Sequence, residues 1–230
     1  MPGRMYRSAA HHAATDADLQ ALAALGLGLV VDLRTPNERT EEPSRRWPGF
    51  AAEVIQNDLA EADEGWGPLL REHPPTAEVF RRRKLDWYGR MAFDPRHQDL
   101  FRRYFDALAT THGPLLVHCA AGKDRTGVLV ALTHHVAGVA REEMLEDFVR
   151  SNRVGMLERR AGPVALRIVS LCGNAPPDDA VWAAMAVEAA YLEATLQALA
   201  ERHGSIDRYL EQALGFDAVK RAGFEARFLG

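Results

Sequence analysis

The stretch LLVHCAAGKDRTG, residues 115–127, carries three structural signals in succession. The mainly apolar run Leu115 to His118 predicts a short buried strand. Small residues after Cys119 predict a tight loop, and the apolar run from Thr126 to Val136 predicts a helix that ends at Gly138. A strand, a tight loop and a helix in immediate succession indicate an α/β fold.

Two further strands are predicted before this stretch. The β-branched and apolar run Leu29 to Leu33 predicts a buried strand, which follows a short helix capped by Asp16. Ala51 to Asn57 predicts another strand. Open α/β sheets bind ligands beyond the carboxyl ends of their strands, so Asp32 and Arg34 are candidate substrate-binding residues at the mouth of a site.

The remaining segments are predicted as loops and helices. Thr35 to Gly49 is predicted as a polar loop, and the acidic stretch Asp58 to Pro75 as an irregular segment that could form a flap. Helical periodicity is found over Thr76 to Met91, Pro95 to Ala109, Arg141 to Ser151, Arg153 to Leu171, Asp179 to Glu201, Ser205 to Leu214 and a last segment to Phe228. We expect one domain over residues 1–230, with a mainly parallel central sheet flanked by helices and helical additions over roughly 153–230.

Composition limits the partners and the compartment. Lys and Arg number 28 against 32 Asp and Glu, and the net charge of −4 gives no reason to expect a nucleic-acid partner. The two cysteines, Cys119 and Cys172, are too few for a disulfide framework and fit a reducing compartment. The run Ala21 to Val31 is too short to span a bilayer, and residues 1–6 lack a signal-peptide core. We expect a soluble, cytoplasmic protein without stable membrane insertion; leaderless export and the oligomeric state stay open.

The decapeptide HCAAGKDRTG, residues 118–127, places a thiol and a guanidinium six positions apart. The small residues Ala120, Ala121 and Gly122 allow consecutive backbone N–H groups to point inward as a nest for an oxyanion. The helix that begins near Arg125 adds the positive end of its dipole. The loop is therefore predicted to bind a phosphate group.

The polar side chains of this loop suggest covalent catalysis. The groups that hold a phosphate also stabilise a thiolate, so Cys119 is predicted to be an ionised nucleophile at neutral pH. Arg125 can fork onto two phosphate oxygens, with Lys123 as a second cation, Thr126 as a partner of the sulfur and Gly127 completing the phosphate-binding set. Two displacements are expected: Cys119 takes the phosphoryl group and releases an alcohol or phenol, and water then releases phosphate. This course needs no metal and no other cofactor.

These residues resemble the signature of the protein tyrosine phosphatases, in which His-Cys, five residues, Arg and then Ser or Thr occur in order. The ending GKDRTG, residues 122–127, is similar to the atypical bacterial branch typified by protein tyrosine phosphatase B. Similar segments are DLRTPNER at 32–39, FVRSN at 148–152, EAAYL at 188–192 and GSI at 204–206 before YL at 209–210. The resemblance covers nearly the whole chain from Tyr6 onward.

The resemblance implies a tyrosine-phosphatase-like sheet flanked by helices and an enzyme that acts on phosphotyrosine. Some members also accept phosphoserine, phosphothreonine or phosphoinositides, and Lys123 and Asp124 are the loop residues linked to that breadth. The expected partner is therefore a phosphorylated protein or a phosphoinositide.

The general acid departs from the common pattern of the family. Many tyrosine phosphatases protonate the leaving oxygen from a Trp-Pro-Asp flap, and such a proton is worth about 10²–10⁴ in rate. Here WPG at residues 47–49 and WGP at residues 66–68 both lack the aspartate. Asp124 is the first candidate because it lies within the loop and the related branch is thought to use it. Asp58 is second and Asp94 third.

Several alternatives stay open. Asp32 and Arg34 either line the mouth or form an ion pair at the strand end, and Asp124 is either the acid or a partner of nearby cations. A phosphoinositide phosphatase shares the mechanism and suits Lys123 and the basic run RRRK at residues 81–84. A sulfurtransferase or an arsenate reductase also holds a cysteine in an anion loop. A phosphate-binding module without turnover is a third class.

Overall fold

The computed structural model describes residues 3–61, 65–154 and 157–230, and its fold is built on a parallel sheet. Within these residues the strands are β1 (Met5–Ser8), β2 (Leu29–Asp32), β3 (Glu53–Ile55) and β4 (Leu115–His118). They lie in the order β1-β4-β2-β3, and every neighbouring pair is parallel. Ser8, Asp32 and His118 are aligned in register, so three strands end together at one edge of the sheet.

Helices make up most of the remaining chain. They are α1 (Asp16–Ala24), α2 (Pro36–Glu41), α3 (Trp66–Glu72), α4 (Ala77–Met91), α5 (Pro95–Thr110), α6 (Asp124–Val136), α7 (Arg141–Val154), α8 (Leu157–Cys172), α9 (Asp178–Met185), α10 (Ala189–His203), α11 (Ile206–Gln212) and α12 (Ala218–Phe228). The predicted α/β class with a helix-rich C-terminal part is confirmed. Within the described ranges, no helix combines the length and the hydrophobicity that a bilayer crossing requires.

The sheet separates two hydrophobic layers. Val30 and Leu116 pack with Leu19 of α1 on one side. The alternate residues of β2 and β4, among them Val31 and Val117, pack on the other side against the larger cluster that includes the aromatic residues of α5. Burial on both sides holds β2 and β4 in place, as is usual for parallel strands, and this gives the loops that follow them a fixed base.

In the N-terminal part, one strand was not predicted and two predictions need correction. Strand β1 was not predicted, because its four half-buried residues show neither alternation nor a fully apolar run. The cap of α1 is Thr15 and not Asp16: its hydroxyl accepts the N–H of Asp18, whose carboxylate accepts the N–H of Thr15 in return. The predicted loop from Thr35 to Gly49 contains α2, because Thr35 and Glu38 form a second capping box of the same kind.

Two later segments also differ from prediction. The stretch Asp58 to Pro75 contains helix α3, and residues 62–64 of the predicted flap lie outside the described part of the chain. The single helix predicted over Asp179 to Glu201 is divided into α9 and α10. The break occurs at Val187, whose N–H and C=O are both hydrogen-bonded by the Asn152 side chain at 2.8 Å. A side chain that satisfies both backbone groups stabilises an extended residue between the helices.

Candidate active site

The loop that follows β4 is supported by β1. Gly122 has a φ of +67°, and a Cβ there would lie 2.3 Å from the carbonyl oxygen of Ser8. Arg7 Nη2 donates to the Gly122 carbonyl at 2.8 Å, and the Ala10 N–H donates to the Ala120 carbonyl at 3.1 Å. Only glycine fits the left-handed backbone and the close approach at this position. The strand that the sequence did not reveal therefore sets the shape of the loop.

Helix α6 begins inside the predicted loop, at Asp124 and not at Thr126. A Cβ on Gly127 would lie 2.6 Å from the ring of Phe148, so this glycine allows α7 to pack closely against the first turn. Thr126 is fully buried, and its Oγ1 has no hydrogen-bond partner among the residues that the structure describes. A buried hydroxyl without a partner suits a group such as a sulfur or a phosphate oxygen, and its role stays a prediction.

Cys119 lies at the base of the loop, with 2% of its surface exposed. It packs in the main hydrophobic cluster beside Tyr88. Its sulfur is an electrostatic neighbour of Tyr88, Lys123 and Arg125. The structure thus brings together the thiol and the two loop cations that the sequence proposed for one site.

Arg125 is held by a carboxylate that sequence reasoning missed. Its Nη1 and Nη2 donate to Glu38 Oε2 and Oε1 at 2.6 and 2.7 Å, and Nη1 also donates to the Leu33 carbonyl at 3.2 Å. Burial would raise the pKa of Glu38, but the bonds from Arg125 and Thr35 outweigh it and lower that pKa to about 2. Two sequence signals pointed to this residue: the spacing of Thr35 and Glu38, three residues apart before a helix, and the position of Glu38 in the family-like segment DLRTPNER.

Asp32 and Arg34 form a buried ion pair at the end of β2. Both are 1% exposed, and Arg34 Nε and Nη2 donate to the Asp32 carboxylate at 3.0 and 2.8 Å. The other donors of Arg34 reach the Glu42 carbonyl at 2.6 Å and Ser44 Oγ at 2.7 Å. Every guanidinium nitrogen therefore has a protein partner. The predicted place at the mouth of the site is corrected: the two residues form the ion pair at the strand end.

Asp124 is the first residue of α6 and faces two cationic side chains. Its Oδ1 accepts a hydrogen bond from Tyr88 Oη at 2.8 Å, and Lys84 Nζ lies 3.9 Å from the same oxygen. Burial would raise the pKa of Asp124, but the ammonium groups of Lys84 and Lys123 outweigh it, and the pKa lies below the ordinary value. The carboxylate is therefore ionised at neutral pH.

The other two candidate acids are engaged away from Cys119. The Asp58 side chain is 88% exposed and pairs with Arg39 Nη2 at 2.5 Å. Asp94 caps α5, and its Oδ1 accepts the N–H of Arg96 at 2.9 Å. Of the three candidates, Asp124 alone lies in the loop.

A pocket of about 400 Å³ opens over Asp124 and Arg125. Its lining comes from six helices and the loops beside them, and comprises Thr35, Glu38, Glu61, Gly65, Trp66, Arg83, Lys84, Trp87, Asp124, Arg125, Arg167 and Ala184. Lys123 does not line it: this residue is 3% exposed, and its ammonium donates to the Met185 carbonyl at the end of α9. The loop therefore presents one side to an open pocket and uses Lys123 to contact a late helix.

A buried cysteine and a guanidinium around one anion loop, at the carboxyl edge of a parallel sheet, are typical of cysteine-dependent phosphatases. The chain belongs to the tyrosine phosphatase family, whose model matches residues 1–230. The predicted enzyme class, a protein tyrosine phosphatase, is confirmed by this family membership.

Individual relatives agree with the family. A Cupriavidus necator protein named as a tyrosine-protein phosphatase is 33% identical over 226 residues, which is 96% of this chain and 78% of the relative. The triple specificity protein phosphatase PtpB of Mycobacterium tuberculosis is 29% identical over 245 residues, with 92% and 86% covered. A tyrosine-protein phosphatase of Nostoc commune is 32% identical over 139 residues, with 60% and 44% covered. The resemblance to the bacterial PtpB branch is thereby confirmed.

Proposed function

We propose that the protein hydrolyses phosphomonoesters through a cysteinyl-phosphate intermediate on Cys119, with phosphotyrosine as the leading substrate. The observation that carries the proposal is the contact of Glu38 with Arg125. Glu38 and the Leu33 carbonyl engage three of the five N–H groups of Arg125. Within the described residues, Nε–H and the second hydrogen of Nη2 are left, and these form one edge that can fork onto two phosphate oxygens.

The chemistry then follows from the loop. The Cys119 sulfur attacks phosphorus, the S–P bond forms and the bond to the leaving oxygen breaks. Arg125 and the backbone amides of residues 120–126 take up the charge of the transferring group, whereas the Gly127 N–H already donates to the Lys123 carbonyl at 2.6 Å. Water then attacks phosphorus, the S–P bond breaks and inorganic phosphate leaves. A buried thiol in a reducing compartment suits this cycle because the sulfur stays reduced.

The pocket supports an aromatic phosphoester as the leading substrate. Trp66 and Trp87 line it beside Asp124 and Arg125, and their rings can pack against the ring of a phosphotyrosine. Arg83 and Arg167 line the same pocket and favour a second candidate, a phosphoinositide phosphatase of the same mechanism. The name of the PtpB relative, a triple specificity phosphatase, supports a breadth beyond tyrosine.

The late helices belong to the same proposed domain, residues 1–230. Ala184 of α9 and Arg167 of α8 line the pocket, and the end of α9 accepts the hydrogen bond of Lys123. The helical additions from about residue 153 would then be part of the site and not an appendage.

The test is a phosphate-release assay on phosphotyrosyl, phosphoseryl and phosphothreonyl peptides and on phosphoinositides in mixed micelles. We expect turnover of the phosphotyrosyl peptide, complete loss in Cys119→Ser and trapping of phosphate on Cys119 in acid-quenched wild-type enzyme. Full activity of Cys119→Ser would refute the mechanism. Turnover of lipids alone would identify the protein as a phosphoinositide phosphatase. Persulfide formation or arsenate reduction without phosphatase activity would identify it as a sulfurtransferase or an arsenate reductase.

A further inference from the structure

The surroundings of Asp124 leave the source of the leaving-group proton unexplained. A general acid must carry its proton when the leaving oxygen departs. The two ammonium groups and the Tyr88 hydroxyl around Asp124 favour its ionised form, despite burial. An aspartate held in this way accepts hydrogen bonds and donates none. A neighbour of Asp124 that carries a proton at neutral pH is therefore a candidate donor.

Lys84 is the neighbour whose position suits that role. It lies on α4, one turn before Tyr88, and its Nζ is 3.9 Å from Asp124 Oδ1. The same Nζ donates to the Ala186 carbonyl at 2.6 Å, beyond the end of α9. The side chain is 15% exposed and lines the pocket together with Asp124 and Arg125. Its ammonium has three N–H groups; one donates to Ala186, and the ion pair with Asp124 at 3.9 Å is too long for a hydrogen bond, so N–H groups are left for a group in the pocket.

We propose that Lys84 donates the proton to the leaving oxygen, and that Asp124 keeps the Lys84 ammonium at the mouth of the loop. This inference rests on the proposed function and adds to it the identity of the acid. Asp124 remains essential, as an ionised residue that binds the proton donor.

The proton balance closes over the two displacements. In the first, the sulfur of Cys119 forms its bond to phosphorus, the P–O bond to the substrate breaks, and the departing oxygen takes a proton from the Lys84 ammonium. In the second, water attacks phosphorus, one of its protons returns to the neutral amine, and the S–P bond breaks to restore the thiolate. Lys84 is an acid in the first step and a base in the second, so the enzyme ends as it began.

Charges on every neighbouring element act on Lys84. Burial lowers the pKa of Lys84 to about 8; Asp124 opposes this effect, Lys123 adds to it and Glu188 opposes it. Tyr191 of α10 lies under the ammonium, with its ring centroid 5.5 Å from Nζ. The Tyr88 hydroxyl donates to Asp124, and Arg167 of α8 lines the same pocket as Lys84. A lysine in such surroundings is protonated at neutral pH and yet releases its proton far more readily than an exposed lysine.

The experiment compares Lys84→Arg and Lys84→Met with wild type on two substrates. Arginine keeps the cation but does not release a proton at any working pH. A phosphotyrosyl peptide has a leaving oxygen with a pKa of about 10 and needs the proton. In p-nitrophenyl phosphate the leaving oxygen is a much weaker base and departs without one. Arg82→Met, which removes an exposed cation from the same helix, is the matched control.

If Lys84 is the donor, Lys84→Arg loses about 10²-fold in kcat on the phosphotyrosyl peptide and stays close to wild type on p-nitrophenyl phosphate. Wild-type kcat on the peptide falls above pH 8, and this decline is absent from Lys84→Arg. An Arg variant that turns over the peptide like wild type overturns the proposal. An equal loss on both substrates in both variants also overturns it, because it shows that Lys84 only anchors α9. Activity of Cys119→Ser in the same assays would instead refute the proposed function.

Discussion

Two arginine–carboxylate pairs lie near the end of β2, and they differ in whether the guanidinium keeps N–H donors that a ligand can use. Arg34 and Asp32 are 1% exposed, and each nitrogen of this guanidinium has a protein partner. Arg125 and Glu38 are 13% and 30% exposed, and Arg125 keeps one edge for a ligand. Whether an arginine beside a carboxylate has a structural role or can bind a ligand therefore depends on its unused N–H donors and not on its carboxylate partner.

The largest effect is expected at Arg125. Lysine at this position keeps a charge but cannot bind Glu38 and two phosphate oxygens at once, so Arg125→Lys should lower kcat/KM by about 10³-fold. The midpoint of thermal unfolding should also fall, because lysine cannot make both hydrogen bonds to Glu38 that stabilise its charge. Steady-state kinetics with a melting curve checks both. Activity within about tenfold of wild type would mean that Arg125 is not the phosphate clamp.

The second effect concerns stability and the other pair. Asp32→Asn leaves the Arg34 cation buried without a counter-charge, and breaking such a pair should cost about 3–5 kcal/mol of unfolding free energy. The kcat of the molecules that remain folded should not change. Urea unfolding followed by fluorescence measures the cost, and Asp58→Asn is the control because its exposed pair should be worth about 1 kcal/mol or less. A fall in kcat with intact stability would show that Asp32 takes part in substrate binding or catalysis.

A smaller effect is expected at Glu38. Glu38→Gln removes one of the two carboxylate oxygens that aim Arg125, and kcat should fall about tenfold, equivalent to ~1.4 kcal/mol. The usual pKa of Glu38 is 4.5 and its folded value is about 2, so its charge stabilises the fold above pH 4.5. This contribution disappears as the pH falls toward 2. Unfolding free energies of wild type and Glu38→Gln should therefore differ at pH 7 and converge in acid; a constant difference would contradict the ion pair.

The smallest effect is expected at Ser44. Ser44→Ala deletes one acceptor of Arg34 at 2.7 Å and should cost about 1 kcal/mol of stability without a change in kcat. Urea unfolding and steady-state kinetics check the two halves of this statement. A loss of activity would show that the buried pair and the loop are coupled more closely than their hydrogen bonds indicate.

The parts of the site that could be predicted are formed by one run of consecutive residues. Strand β4, the small residues after Cys119 and the helix beyond them follow from local composition, and the structure places them in that order. Strand β1 could not be predicted because its residues gain their pairing only from β4, 110 positions away in register. Glu38 and Lys84 were not predicted as residues of the site for the same reason. Neither is near Cys119 in sequence, and a glutamate at a helix start or a lysine in a basic run most often has a local role.

The amino-acid sequence by itself determined the family, the α/β class and the loop around Cys119. The reason is that a phosphatase loop of this kind needs a cysteine, small residues and an arginine at fixed local spacing. Only the tertiary structure decided which arginine is saturated and which is available, where the neighbours of Asp124 lie and how β1 shapes the loop. These properties depend on burial and on unused hydrogen-bond donors. Both arise when distant segments pack together, and local sequence does not encode them.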